Sequence, residues 1–167
     1  TCPINFADNV YPFRQDSTFL YFGGPPHPDL FILVDCDAAR SFLCGPEADP
    51  HEALWSGPAP SLTDLAAAAA FDGVDTPAGL EARLAAARRA QRPVHFPPPY
   101  RPDQILALNR HLARAPADLA ALASRPLIDA VVAQRAVKTE AEIVEIEKAL
   151  VICQAMLQTA AAAPLEN

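Results

Sequence analysis

Short apolar runs of strand length alternate with longer stretches of helical periodicity along this chain. Leu30–Val34 is continuously apolar, a pattern typical of a strand that is buried on both faces of a sheet. Ser41–Cys44 follows the turn Asp35–Asp37 and is predicted to be its neighbour, since short acidic residues favour turns. Pro93–Phe96 is predicted to form a further short strand. The chain is therefore expected to contain a sheet.

Helices are predicted between these strands. Ser61 is a good N-cap, and Asp64 occupies the capping-box position of a helix that continues through the alanine run Ala66–Ala70. Thr76 precedes a proline at the first position of a second helix, and Pro102 starts a third helix. The third helix carries an apolar stripe of Ile105, Leu108 and Leu112. Alternating strands and helices predict an α/β fold, with a mixed sheet flanked by helices.

The last segment has the strongest helical pattern. Thr139 and Glu142 fit a capping box, and apolar residues then recur at alternating steps of three and four: Ile143, Ile146, Leu150, Cys153 and Leu157. The spacing predicts a long C-terminal amphipathic helix of about 24 residues that ends near Pro164. Because its apolar face needs a partner, we expect this face to pack on its own domain or on another copy of the chain.

Residues 16–24 are expected to form one short helix. Asp16 or Ser17 can cap its first amides, and a glycine can adopt the left-handed conformation that ends it. Phe19 and Phe22 would then share a face. The aromatic run also allows a strand, but the marked ends favour the helix.

Composition and charge exclude several classes of function. The formal net charge of −7 and the dispersed basic residues disfavour nucleic-acid binding. No apolar run approaches the ~20 residues that a membrane span requires. The four cysteines show no zinc spacing, so free thiols in a cytoplasmic protein are the simplest interpretation, although two disulfide bridges remain possible.

Most signatures of catalysis are absent from the sequence. It contains no nucleotide-binding glycine motif, zinc-protease motif or serine-hydrolase elbow, and no histidine stands at ligand spacing from another histidine or a cysteine. The acidic stretch Glu47–Asp49 is expected to be a solvated loop. Trp55, the single tryptophan, lies in a polar loop, where it is either packed into the core or presented to a partner.

Three stretches resemble the Xaa-Pro aminopeptidases. Tyr11–Gly24 is similar to the family signature Tyr-Pro-(Tyr/Phe)-Arg-Gln-(Asn/Asp)-Ser-x-Phe-x-Tyr-x-x-Gly. Leu54–Gly57 resembles the Ile-Trp-x-Gly loop of that family, although Pro58 follows where the family usually has arginine. Pro126–Asp129 and Ala136–Ile143 resemble its interdomain junction. The residues that match the signature and the loop glycine, and that we expect to be structural, are Arg14, Gln15, Asp16, Ser17, Phe19, Tyr21, Gly24 and Gly57.

The resemblance implies a creatinase/prolidase-type N-terminal domain over residues 1–133. Residues 134–167 would be the interdomain junction and the first helix of a catalytic domain, at which the chain is cut off. In the family, two Asp, one His and two Glu of that domain bind two divalent metal ions, commonly manganese, which activate a water for hydrolysis. None of the five ligands has a counterpart here. The isolated chain is therefore expected to hold no metal and to be inactive.

The resemblance also implies partners. The family's N-terminal domain assembles subunits into a homo-oligomer and shapes access for the peptide substrate, and its loop tryptophan reaches towards a neighbouring subunit's active site. We carry that substrate-access role to Trp55 as a hypothesis. Two alternatives remain open, namely the N-terminal domain of a prolidase and an inactive peptide-binding interaction module.

Overall fold

A computed structural model describes residues 3–6, 9–47, 51 and 53–163 of the chain. The chain divides into two compact units. The first comprises residues 1–94 together with 106–114, and the second comprises residues 95–105 together with 115–167. The predicted domain boundary after residue 133 remains a prediction.

Strands are confined to the first unit within the described residues. The strands are β1 (Pro3–Phe6), β2 (Asn9–Val10), β3 (Phe31–Asp35), β4 (Arg40–Cys44) and β5 (Gly73–Asp75). The helices are α1 (Ser17–Tyr21), α2 (Ala53–Ser56), α3 (Leu62–Ala68), α4 (Pro77–Arg89), α5 (Pro102–Leu112), α6 (Leu119–Leu122), α7 (Arg125–Ala136) and α8 (Glu140–Ala162), and a 3-10 turn spans Pro116–Asp118. By the division into units, α5 starts in the second unit and ends in the first.

The sheet of the first unit is mixed, as predicted. Its order is β3-β4-β5. β3 and β4 are antiparallel, with Phe31 opposite Cys44 and Asp35 opposite Arg40. β4 and β5 are parallel, with Leu43 opposite Val74. β1 and β2 form a separate antiparallel pair.

The core lies on both faces of the central strand β4. Side chains alternate across a strand, so Leu43 packs on one face with Leu62 and Ala66 of α3. Phe42 and Cys44 point to the other face and pack against Leu80 of α4. Burial raises the pKa of the Cys44 thiol to about 11, which keeps it protonated and unreactive. Helices therefore cover both faces of the sheet.

Two predictions about strands were wrong. Pro93–Phe96 has no regular secondary structure, and the third strand is Gly73–Asp75. Pro93 at its start and the prolines that follow Phe96 have no N–H to donate to a neighbouring strand, which disfavours pairing. β3 is also not buried on both faces, because it lies at the edge of the sheet and Val34 is 62% exposed.

Charged side chains connect β4, β5 and α4. The Asp72 carboxylate accepts hydrogen bonds from the Ser41 amide (2.6 Å) and hydroxyl (3.0 Å), which lower the pKa of Asp72. Asp75 pairs with Arg83 of α4 at 2.5 Å. The Arg83 guanidinium carbon also lies 4.1 Å from the centre of the Phe42 ring, an arrangement that is favourable for a cation over an aromatic face.

The second unit ends in the long helix that the sequence predicts. Thr139 and Glu142 form the expected capping box at the start of α8. The apolar side chains along α8 are exposed, from Ile146 at 44% to Leu157 at 72%. The partner expected for them stays a prediction. Among the helices of the described residues, none is both long and apolar enough to cross a membrane.

A matched pair of substitutions in adjacent strands tests this core. Leu43 is fully buried, whereas Val34 is mostly exposed. We expect Leu43→Ala to lower the free energy of unfolding by about 2–5 kcal/mol. Val34→Ala should change it by roughly 0.5 kcal/mol or less. Urea unfolding followed by circular dichroism measures both, and equal losses would contradict the core described above.

Candidate functional site

The signature segment, residues 11–24, is built around the short helix α1. One carboxylate oxygen of Asp16 accepts hydrogen bonds from the amides of Thr18 (2.9 Å) and Phe19 (3.0 Å). These contacts satisfy amides that have no partner at the start of a helix. The prediction of a helix rather than a strand is confirmed, and Asp16 rather than Ser17 is the cap.

Gln15 links α1 to the proline-rich loop that follows it. Its side-chain oxygen accepts a hydrogen bond from the Asp16 amide (2.9 Å), while its nitrogen donates to the His27 carbonyl (2.8 Å). This bridge is not among the predictions from the sequence. The available signal was the density of prolines at 25, 26 and 28. Prolines have carbonyl acceptors without N–H donors, so their loop needs donors from elsewhere.

The two glycines that end the segment are required for different reasons. Gly23 has φ +81°, in the left-handed region that favours glycine, and its amide donates to the Leu20 carbonyl. Gly24 is buried, and a β-carbon there would overlap the ring of Phe19. The Gly24 amide donates to the Phe19 carbonyl at 2.9 Å. The chain therefore folds back tightly over the helix.

Phe19 anchors the segment to the core of the first unit. It packs against the cluster of Leu43, Leu62 and Ala66. Phe22 is the C-cap of α1, and its ring meets the Tyr21 ring edge-on with centres 5.2 Å apart; that it shares a face with Phe19 stays a prediction. One aromatic residue of the run is therefore a core anchor, whereas Phe22 is exposed.

The remaining signature residues lie towards the surface. Ser17 is the first residue of α1 and is exposed, as is Arg14. Tyr21, the last residue of α1, is half-buried. The structure thus brings Gln15, Asp16, Phe19 and Gly24 into one compact turn, with Arg14, Ser17 and Tyr21 at its margin.

The tryptophan loop contains a second short helix, α2. Gly57 ends it with φ +81°, and its amide donates to the Ala53 carbonyl at 3.1 Å. Leu54 is 79% exposed on this helix. The side chain of Trp55 lies outside the described part of the structure, as does Asp49 of the predicted acidic loop. The substrate-access hypothesis for Trp55 therefore remains a prediction.

Within the described ranges, no group of three or more His, Cys, Asp or Glu side chains is arranged to hold a metal ion. The described residues therefore do not fit a two-metal hydrolytic centre, which requires several clustered carboxylates and histidines.

Several curated proteins are similar to part of this chain. A protein named "Probable Xaa-Pro aminopeptidase PEPP" from Paracoccidioides brasiliensis is 33% identical over 82 residues, which are 49% of this chain and 18% of that protein. "Xaa-Pro aminopeptidase 3" from Rattus norvegicus is 38% identical over 87 residues, or 47% of this chain and 17% of the rat protein. The aligned part thus spans less than a fifth of the length of these relatives.

A family model agrees with these similarities. The model described as "Aminopeptidase P, N-terminal domain" matches residues 1–95, which include the signature segment, the tryptophan loop and the whole three-stranded sheet. No solved structure matches the chain significantly. The resemblance noted from the signature is confirmed, and the chain belongs to the aminopeptidase P N-terminal domain family.

Proposed function

We propose that this chain is the non-catalytic N-terminal domain of a proline-specific aminopeptidase, which releases the N-terminal residue from Xaa-Pro peptides. The observation that carries the proposal is the family match over residues 1–95. Relatives named Xaa-Pro aminopeptidases support it. These relatives are much longer than the aligned part, so their additional length has room for a catalytic domain.

The hydrolytic chemistry in this proposal belongs to the rest of the parent protein. Two divalent metal ions, commonly manganese in the family, would be held there. The contribution of the present chain would be assembly of subunits and control of substrate access. In this division, residues 1–133 form a creatinase-type N-terminal domain, and residues 134–167 form the junction and the first helix of the catalytic domain.

The surface of α8 supports that division. Its apolar side chains are exposed over more than three turns, including Leu150, Ile152 and Met156. An apolar surface of this length on a helix is typical of a contact face. In the proposal, the catalytic domain of the parent covers it.

The first experiment compares this chain with the full-length parent. Both are assayed for release of the N-terminal residue from an Xaa-Pro peptide and for bound metal by elemental analysis. We expect cleavage and about two divalent ions per subunit for the parent, and neither for the chain alone. Turnover by the chain alone would contradict the proposal.

The same assay separates the alternatives. A parent that cleaves only Xaa-Pro dipeptides would be a prolidase. A parent that binds proline peptides without cleaving them would be an interaction module.

The role of Trp55 is tested in the full-length parent. If its ring narrows access to an active site, Trp55→Ala should lower kcat/KM for proline peptides by about tenfold or more, the equivalent of ~1.4 kcal/mol, at unchanged metal content. Leu54→Ala is the matched control, because Leu54 is an exposed neighbour on the same helix. Normal kinetics for Trp55→Ala would leave Trp55 a structural residue.

The signature residues are proposed to shape the turn rather than to contact substrate. Asp16→Ala removes the cap of α1 and should lower the free energy of unfolding by about 1 kcal/mol. Asp16→Asn keeps an acceptor oxygen and should restore most of that loss. Ser17→Ala, at the exposed first helical position, serves as the control. Chemical unfolding of the three variants measures these effects, and an Asp16→Ala variant as stable as the control would exclude the capping role.

A further inference from the structure

His111 lies near the end of α5, in the part of that helix that belongs to the first unit. It is buried, with 8% of its surface exposed, and among the described residues it is the one buried polar residue. Its ring meets the ring of Phe31 in β3 edge-on, with centres 5.0 Å apart. A titratable ring is therefore packed against the edge strand of the sheet.

One nitrogen of this ring has no hydrogen-bond partner. His111 Nδ1 is fully buried and unsatisfied in the described structure. The nearest carboxylate oxygen is Glu81 Oε1 in α4, at 3.5 Å, which is too long for a good hydrogen bond. Buried polar atoms normally have partners, and each exception calls for an explanation.

Charges face His111 from both helices that pack around it. From α4, Glu81 favours the charged imidazolium, and Arg88 donates to the His111 carbonyl at 2.8 Å. From α5 itself, Arg110 disfavours the imidazolium. β3 contributes the uncharged ring of Phe31. Burial is the largest influence, so the pKa of His111 is lowered from 6.5 despite the attraction of Glu81.

We propose that His111 is an acid-sensitive latch, which holds the end of α5 on α4 and β3 while its ring is neutral and weakens that packing when the ring is protonated. Burial of an uncharged ring is compatible with the apolar contact to Phe31. A proton placed on the ring introduces a charge that the site solvates poorly. Among the described residues, Glu81 is the group that offsets that charge, across 3.5 Å and from a half-exposed position.

The direction of the pH effect follows from linkage. A base whose pKa is lowered by folding binds fewer protons in the folded state than in the unfolded state. The stability that His111 contributes is therefore complete above 6.5 and is lost as the pH falls through that value towards its lowered pKa. Carboxylates titrate near pH ~4, so the range from about pH 7.5 to about pH 5.5 isolates histidines.

The test combines proton NMR with unfolding of the chain at several pH values. We expect the His111 ring to titrate below 6.5, the value usual for histidine. Stability should fall on acidification. The His111→Gln variant should lose about half as much free energy of unfolding as the wild type over this pH range, or less. His51→Gln removes an exposed histidine and should lose as much as the wild type. Titration of His111 at or above 6.5, or an undiminished loss in His111→Gln, would overturn the latch.

Glu81→Gln provides a second test that leaves the ring in place. Removal of the attracting carboxylate should lower the pKa of His111 further and increase the stability lost on acidification. This variant decides the question if His111→Gln does not fold. An unchanged or raised pKa in Glu81→Gln would count against the latch.

Discussion

Burial of β4 on both faces is the constraint on which the first unit depends. Leu43 faces α3, while Phe42 and Cys44 face α4, so a single strand joins two layers of helix. Its two neighbours, β3 and β5, are edge strands in the described sheet. Because adjacent side chains of β4 serve opposite layers, a shift of one residue in its register would exchange the two clusters. Helix docking and strand pairing are thus coupled through the same few residues.

Local signals in the sequence predicted the helices better than the sheet. Ser61 and Thr139 are predicted to be caps from their own neighbourhoods, and each accepts the expected hydrogen bond. The third strand depends on a parallel partner more than 25 positions away, and Gly73–Asp75 is too short to show a pattern. Pro93–Phe96 has apolar residues like those of a strand but is paired with no strand in the described structure. Which of these two segments forms a strand therefore depends on the presence of a pairing partner rather than on composition.

The candidate site was only partly accessible to sequence reasoning. The capping role of Asp16 follows from its position before an apolar run. The Gln15 bridge to the His27 carbonyl does not, since it depends on how the proline-rich loop folds back. Gly24 likewise appears in the sequence as an ordinary helix-ending glycine, whereas the structure shows that the Phe19 ring occupies the space of its missing side chain. The need for Gln15 and for Gly24 at these positions follows from the folded turn and not from the local sequence.

The uses of polar side chains support the proposed scaffold role. Among the described residues, five N-cap side chains cap a helix: Asp16, Ser61, Thr76, Ser124 and Thr139. The Asp72 carboxylate binds Ser41 of β4, and the Asp75 carboxylate pairs with Arg83 of α4. Each of these side chains already binds a backbone amide or a neighbouring arginine. If one of them took part in a reaction instead, the helix end or strand that it holds would lose that contact. His111 differs from them, because its buried Nδ1 has no hydrogen-bond partner among the described residues. Above the pH range in which carboxylates titrate, such a scaffold would respond to acid chiefly at its histidines, of which His111 is buried.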